Sequence, residues 1–488
     1  MGTRGHGGLA KRYRQIADVC ARHGLGFIIG VAGLDRLVPL QRGWLGHPQR
    51  ELPYTRPEHV RMALEELGTV FIKLGQMLST RADLLPPEYL AEFAKLQDSA
   101  PSVDVAEVID AIVTELGHPP DEVFASFDPS PLAAASIGQV HAVTLLDGTD
   151  AVVKVRRPGV VEQVEMDLEI LEQLARSAMR RWEPASHYDL SGLVQEFAES
   201  LRAELDYRQE GRNAERVAAN FSENLLVHVP RIVWEATTSR VLTMERVHGI
   251  KIADIEALDI AGIDRKALAE HAAEVVLQMV FEDGFFHADP HPGNIFIEPD
   301  GRIALIDFGM VGALDAQLQD QLITLFVAVA TRDPDRLVDA VLDLSQSRVR
   351  VDRARLRQDL QRLVRRYIDR PLKEIEAAAV VEEVLEVVRR HQLQLPTNLL
   401  LVVRTAVMVE GLGAMLDPEF ELTEAIEPYA RRLALRRYSP LVWGRRLSAA
   451  GIDAMSLSMD LPLRMRRILT DLERGTLEVG MRPTGIDP

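Results

Sequence analysis

His287-Ala288-Asp289-Pro290-His291-Pro292-Gly293-Asn294, followed after a short hairpin by Asp307-Phe308-Gly309, is the stretch that decides how this chain is read. One carboxylate precedes an amide by five residues, and a second carboxylate comes 18 residues after the first. Phosphoryl transfer needs this set. An Asp orients the attacking oxygen and can take its proton, while an Asn and a further Asp hold Mg²⁺ against the phosphates. Asp289 suits the first role; Asn294 and Asp307 suit the second. The prolines restrict the loop, so Asp289 need not be ordered at the moment of reaction. A metal hydrolase is a competing reading, because His287, Asp289 and His291 alternate like ligands. It leaves Asn294 and the Asp-Phe-Gly unexplained. A proline-rich turn with satisfied polar side chains is the plain alternative, and either motif alone would be weak against it.

Upstream, Val152-Val153-Lys154-Val155 sets one lysine inside an apolar strand. Alone it reads as a lysine reaching solvent from an exposed face. With Asp289 and Asp307 downstream it reads as the strand lysine that a nucleotide kinase sets on the α- and β-phosphates. Ala133-Ala134-Ala135-Ser136-Ile137-Gly138-Gln139 leads into the first strand, where a phosphate-covering loop belongs. Alanine narrows the backbone freedom that glycine would allow, so nucleotide would be held differently here than by a G-x-G-x-x-G loop. Lys154 needs a carboxylate on a neighbouring helix, and spacing alone offers Glu165, Glu169 and Glu172. Leu242–Val247 ends a strand pair just before helical sequence and is the natural hinge, with Glu245 and Val247 placed to meet adenine through their backbone groups.

Around these motifs the texture changes twice. Apolar residues recur at helical spacing from Pro57 to Leu78, where Lys73 and Gln76 project from one side. A second helix is predicted from Asp104 to Leu116, ending at Gly117. Strands are predicted over Ile137–Leu146 and Ala151–Arg156, joined at Asp147-Gly148. Helical patterns cover Glu162–Trp182 and Leu190–Phe221. Further strands are expected at Arg231–Trp234, Arg240–Val247, Ile295–Ile297 and Ile303–Ile306. Four to six amphipathic helices follow from Ala313 to Tyr438. This order is an α+β chain.

The chain has 488 residues, 47% hydrophobic and 26% charged, an ordinary globular balance that excludes a largely disordered chain. The single cysteine, Cys20, excludes an intrachain disulfide and suits a reducing compartment. The net charge of −17 makes nucleic acid a poor partner. The charge is uneven, with residues 1–50 at +6 and residues 431–488 at +5. Basic ends on an acidic body suit an anionic membrane surface. Arg431, Arg432, Arg436, Arg437, Arg445 and Arg446 lie among leucines and Trp443, as in an interfacial helix, and so do Arg464, Arg466 and Arg467. The apolar run Leu25–Leu34 is too short to cross a bilayer, and no other span is read. The expected location is cytoplasmic, with peripheral contact on the inner face of a membrane.

The whole pattern resembles the UbiB (ADCK) family of atypical protein-kinase-like proteins over roughly residues 55–440. Lys73-Leu74-Gly75-Gln76 matches its K-x-G-Q, Ala133–Gln139 its alanine-rich loop, Lys154 its strand lysine and Glu204-Leu205-Asp206 its E-x-D. His287–Asn294 and Asp307–Gly309 match its catalytic and metal motifs. The resemblance implies a two-lobed protein-kinase-like fold: a helical N-terminal extension (1–100), a kinase-like N-lobe with a helical insertion (101–247), a largely helical C-lobe (248–440) and a basic tail (441–488). It implies Glu210, rather than the earlier glutamates, as the partner of Lys154. It implies ATP and Mg²⁺ as cofactors, with Ala133, Ala134, Ala135 and Ser136 near phosphate. It also implies a K-x-G-Q helix folded over the active site to meet Glu204 and Asp206, restraining ordinary protein-kinase activity. The activity it implies is that of a kinase or ATPase supporting isoprenoid quinone or related lipid metabolism, with proteins of that metabolism as partners. Many bacterial members continue into hydrophobic C-terminal spans, whereas this sequence reaches Pro488 through a polar tail, so peripheral association is expected. Two other classes stay open: a small-molecule kinase like the aminoglycoside and choline phosphotransferases, and a nucleotide-gated lipid-binding scaffold.

Overall fold

In the strand Asp150–Arg156 (β3), Ala151, Val153 and Val155 are buried on one face. The period of two therefore turns Lys154 to the other face. In the computed structural model β3 lies inside a four-stranded antiparallel sheet, order β1-β2-β3-β5, with β1 at Phe124–Ala134, β2 at Gly138–Leu145 and β5 at Val241–Glu245. Helix α5 (Val105–Leu116), capped by Asp104, packs Val108, Ala111 and Ile112 against the buried face. The structure describes residues 4–25, 55–81, 83–96, 100–181, 189–330, 334–345, 351–368, 377–422 and 425. These fall in one unit, Met1–Ile426; a second unit, Glu427–Pro488, lies outside them. Both arginine clusters near the C-terminus and most of Leu25–Leu34 therefore lie outside the described residues.

Strand readings change at two places around this sheet, and Val227–His228, Ile250–Lys251, Phe285–His287 and Val311–Ala313 are further short strands that the sequence pattern does not mark. β1 was not anticipated, because Pro129 and Pro131 argue against a strand. It sits at the sheet edge and breaks register around Pro131, where proline is tolerated. Arg231–Trp234 is not a strand. Only the single bridge from Ile232 to Met244 forms there, and a 3₁₀ turn starts at Trp234.

The N-terminal helices are α1 (Arg4–Arg22), α2 (Arg56–Leu67), α3 (Thr69–Ser79) and α4 (Pro87–Phe93). The sequence pattern ran α2 and α3 together; Gly68, at φ +91°, breaks them. A Cβ on Gly75 would run into Leu96 Cδ1 and Leu64 Cδ1, so this glycine permits close packing of α3. A single turn, α6 (Pro120–Val123), precedes β1, and the segment read as an insertion supplies α7 (Val160–Arg181) and α8 (Leu190–Glu204). Extension and insertion share one core, which includes Ile16, Phe71, Leu168, Phe197 and Leu201. Ile137, from the alanine-rich loop, belongs to that core too. Arg12 ties it together: its guanidinium donates to both oxygens of the fully buried Asp167, at 2.7 and 2.8 Å, and to the Leu67 carbonyl at 2.7 Å.

The Leu190–Phe221 pattern is likewise two helices, because Asp206 caps α9 (Tyr207–Asn220) by accepting from the Arg208 N–H. Further on, α10 (Ile255–Ile260) and α11 (Arg265–Leu277) lead into a π-turn at Gln278–Glu282. A second sheet runs β4-β9-β8-β6, from Val227–His228, Ile303–Leu305, Ile295–Ile297 and Ile250–Lys251. β7 (Phe285–His287) pairs with β10 (Val311–Ala313). Helices α12 (Ala316–Ala330), α13 (Pro334–Leu344), α14 (Arg353–Ile368) and α15 (Ala377–Arg390) build a core of their own.

Helix α16 (Thr397–Leu416) differs from the amphipathic pattern expected there. Its mean hydropathy of 1.9 makes it long and apolar enough to cross a membrane by length and composition. Here it packs on α11 and the C-lobe core through Leu399, Val409, Leu412 and Leu416.

Candidate functional site

Lys154 leaves β3 on the face away from the sheet's core and meets Glu210 of α9, with Nζ 3.0 and 2.9 Å from the two carboxylate oxygens. Asp307 Oδ2 lies 3.8 Å from the same ammonium. The earlier candidate partners are elsewhere: Glu165 is bound to Arg202 at 2.8 and 2.6 Å, and Glu169 and Glu172 lie on the same insertion helix. Burial disfavours the lysine's charge, but Asp307 and Glu210 outweigh it and hold Lys154 well above the ordinary lysine range. Burial pushes the Glu210 carboxyl up to about 7, with Lys154 opposing and Asp307 adding to the rise. For Asp307, the desolvation cost of its enclosed position is outweighed by Lys154, the Gly309 N–H and His287, which bring it below the ordinary Asp value.

The loop read as catalytic in the sequence follows β7. Asp289 donates its N–H to His287 Nδ1 at 3.1 Å, and Asn294 Nδ2 approaches the Asp289 carbonyl at 3.4 Å. His291 Nδ1 accepts the Gly293 N–H and caps the short turn Pro292–Asn294. Both histidines of the motif thus use Nδ1 to shape the loop. The Asp289 carboxylate has a partner that no motif announced: Arg404 Nη2 donates to Oδ1 at 3.0 Å. Only the apolar run around it marks this arginine in the sequence. Asn213 of α9 was missed as well; its Nδ2 donates to the Phe308 carbonyl at 3.0 Å and ties α9 to the Asp-Phe-Gly segment.

Ala133 and Ala134 close β1, opposite Val140 and Gln139, and Ala135–Ile137 make the turn into β2. Arg157 fastens that turn: Nε donates to the Ala135 carbonyl at 2.7 Å, and its N–H donates to the Ile137 carbonyl at 2.8 Å. Ser136 is buried. The loop is therefore held from behind as well as narrowed by its alanines. At the far end of β5, Glu245 uses its N–H on the Arg231 carbonyl, and its carboxylate accepts from the Arg231 N–H at 3.2 Å. Val247 follows, half-buried.

Helix α3 brings Lys73 into an ion pair with Glu204 at the end of α8. The same ammonium is close enough to help lower the Asp307 pKa. The other two residues of this group do not join it. Asp206 is held by Arg208 at 2.9 Å through both oxygens, because its position as a helix cap turns it toward the first turn of α9. Gln76 donates to the Leu96 carbonyl at 3.1 Å, since the next turn of α3 faces the chain after α4.

Asn294 and Asp307 offer hard oxygen donors, which suit Mg²⁺ completed by phosphate and water. Asp307 Oδ1 accepts the Gly309 N–H at 2.9 Å, while its side chain stays 43% exposed. His287 Nε2 is buried without a hydrogen-bond partner, beside the Asp289 and Asp307 charges. The residues present fit a Mg²⁺-nucleotide. Among the described residues no group of three His, Cys, Asp or Glu side chains is arranged to hold a metal ion by itself.

Residues 95–341 match the ABC1 atypical kinase-like domain, and residues 360–421 match the UbiB helical domain. The probable protein kinase UbiB of Xanthomonas axonopodis pv. citri is 35% identical over 485 residues, 96% of this chain and 87% of that protein. An uncharacterised Synechocystis protein is 35% identical over 432 residues, 88% of this chain and 74% of that one. Among solved structures, Rv3197 of Mycobacterium tuberculosis, determined with erythromycin, aligns with a TM-score of 0.50 and 26% identity, covering 75% of this chain and 93% of that chain. The chain has an α+β, kinase-like fold with a helical region behind it, and it belongs to the UbiB family of atypical kinase-like proteins.

Proposed function

We propose that this protein binds Mg²⁺-ATP and transfers its terminal phosphoryl group, to water or to an acceptor, as a restrained kinase-like ATPase. The observation that carries the reading is the joint placement of Lys154, Glu210 and Asp307, with Nζ within 3.8 Å of both carboxylates. Bound Mg²⁺ would neutralise phosphate charge. Lys154 would hold the α- and β-phosphates, and Glu210 would keep its ammonium aimed. Asn294 and Asp307 would hold the metal. Asp289 would orient the attacking oxygen and receive its proton. The fastened alanine turn would cover phosphate, and the backbone at Glu245 and Val247 would meet adenine. Lys73, held by Glu204, would place a cation beside the metal site and α3 across the acceptor side. Asp206 and Gln76 would act one step away, by setting the start of α9 and the seat of α3.

A role in isoprenoid quinone or related lipid metabolism, with an anionic membrane surface as partner, is supported by kinship with UbiB proteins and by the basic ends of the sequence. Mg²⁺-dependent ATP hydrolysis by the purified protein, with and without anionic liposomes, tests the whole reading. Asp289→Asn is expected to lower turnover by about 10²–10⁴-fold with nucleotide binding retained. ATP binding with no turnover in either condition would point to a nucleotide-gated scaffold instead. Competition by a soluble alcohol would favour a small-molecule kinase.

A further inference from the structure

The segment His287–Asn294 contains no lysine or arginine, yet its carboxylate is ion-paired. The cation comes from 115 residues downstream, on α16, inside the segment that matches the UbiB helical domain. That helix is a firm support. Arg265 Nη1 donates to its terminal Leu416 carbonyl at 2.8 Å, Phe420 packs against Gly413, and Val409 and Leu412 are buried against the C-lobe. The Arg404 guanidinium also reaches Met310 Sδ, at 3.8 Å, and the Met310 carbonyl accepts the Ala288 N–H at 3.0 Å. One side chain thus touches the residue that follows Asp-Phe-Gly and the catalytic carboxylate together.

The loop's own hydrogen bonds fix only the backbone of Asp289: N–H to His287, C=O from Asn294. The hydrogen bond from Arg404 goes to Oδ1. A carboxylate held through one oxygen keeps the other directed at a nucleophile. A group held in the attack geometry by a rigid helix is worth more than one on a free rotamer.

We propose that Arg404 is a positioning residue for Asp289, so that the helical domain completes the phosphoryl-transfer site. The inference rests on the reading of Asp289 as the residue that orients the attacking group. The guanidinium's hydrogen bonds go to Asp289 and Met310 and to none of the residues proposed to hold nucleotide, so its removal frees the carboxylate alone. Arg404→Ala is therefore expected to lower kcat for ATP hydrolysis by about 10–100-fold, within the range a small misplacement costs, with KM and nucleotide Kd unchanged. Arg404→Lys, which keeps the charge, recovers part of the loss. In an Asp289→Asn background Arg404→Ala adds no further loss, because it acts through that carboxylate.

Independent, multiplicative losses in the double variant would overturn the proposal, as would a raised KM at unchanged kcat. If Arg404→Ala unfolds, the lysine variant carries the same kcat-against-KM test. Should the native protein hydrolyse no ATP, or Asp289→Asn hydrolyse it normally, the phosphoryl-transfer reading fails on its own. The positioning claim is then decided by the crystal structure of Arg404→Ala: an Asp289 side chain in its original rotamer rejects it, and a displaced one sustains it.

Discussion

Three charges meet at Lys154, and their balance makes the site sensitive to single substitutions. Lys154→Ala leaves Glu210 and Asp307 without the ammonium that lies between them. A lost charge-assisted hydrogen bond is worth about 1.5–3 kcal/mol, so nucleotide affinity should fall by about 10–100-fold, read by calorimetric titration with Mg²⁺-ATP. The raised Glu210 pKa has a sign that follows from linkage. Between 4.5 and about 7 the folded protein keeps a proton that the unfolded chain has released. This group's contribution is therefore most favourable below 4.5, declines as pH rises toward about 7 and is level above it. Urea denaturation at pH 5 and pH 8 should show a smaller decline in Glu210→Gln than in the native protein; equal declines would refute the shift. Lys154 and Asp307 stood out because the phosphoryl transfer proposed for this site would demand fixed types at fixed spacing; for Glu210 spacing pointed instead to Glu165, Glu169 and Glu172, and only the resemblance implied it. Arg404 did not stand out, since a lone arginine in an apolar run carries no spacing signal.

Elements were readable where one physical signal dominated. β3 alternates cleanly, and Asp104 and Gly117 bracket α5. They were misread where a local residue overrode periodicity, as Gly68 does between α2 and α3, or where tertiary pairing overrode it, as with the proline-bearing β1. The seat of α3 can be tested at Gly75. A methyl there has no room beside Leu96 and Leu64, and overpacking costs about 1–3 kcal/mol, so Gly75→Ala should lower Tm in a thermal scan. In the helical domain, Asp359 of α14 accepts from His391 at 2.9 Å and lies 3.6 Å from Arg390. The His391 hydrogen bond, with the nearby arginines, holds its pKa below the ordinary value. The stability it supplies is present above pH 3.8 and lost as pH falls through the lower folded pKa. Acid unfolding of Asp359→Asn, followed by circular dichroism, should accordingly be less steep below pH 4 than that of the native protein.

Over the whole molecule, the described helices and strands group around several buried cores. Helices α1–α3 pack with α7–α8 and with Ile137 around one apolar core. Arg12 and Asp167 join them at 10% and 0% side-chain exposure, and removing one partner of such a pair costs about 3–5 kcal/mol. Arg12→Ala should therefore loosen this core first. Hydrogen exchange is expected to quicken across Thr69–Ser79 while the β1–β3 sheet is unaffected; uniform exchange over both would show that the two cores unfold as one.

The sequence distances of these contacts also set an order of assembly. Lys73 waits 131 residues for Glu204, Arg12 waits 155 for Asp167, and Asp289 waits 115 for Arg404. Long loops close late, after local helices and hairpins have formed. During synthesis the loop holding Asp289 emerges before the helix that steadies it. A nascent chain that has finished residues 95–341 would thus carry the residues proposed to handle phosphate but an unsteadied Asp289 carboxylate, until the helix that bears Arg404 has been made.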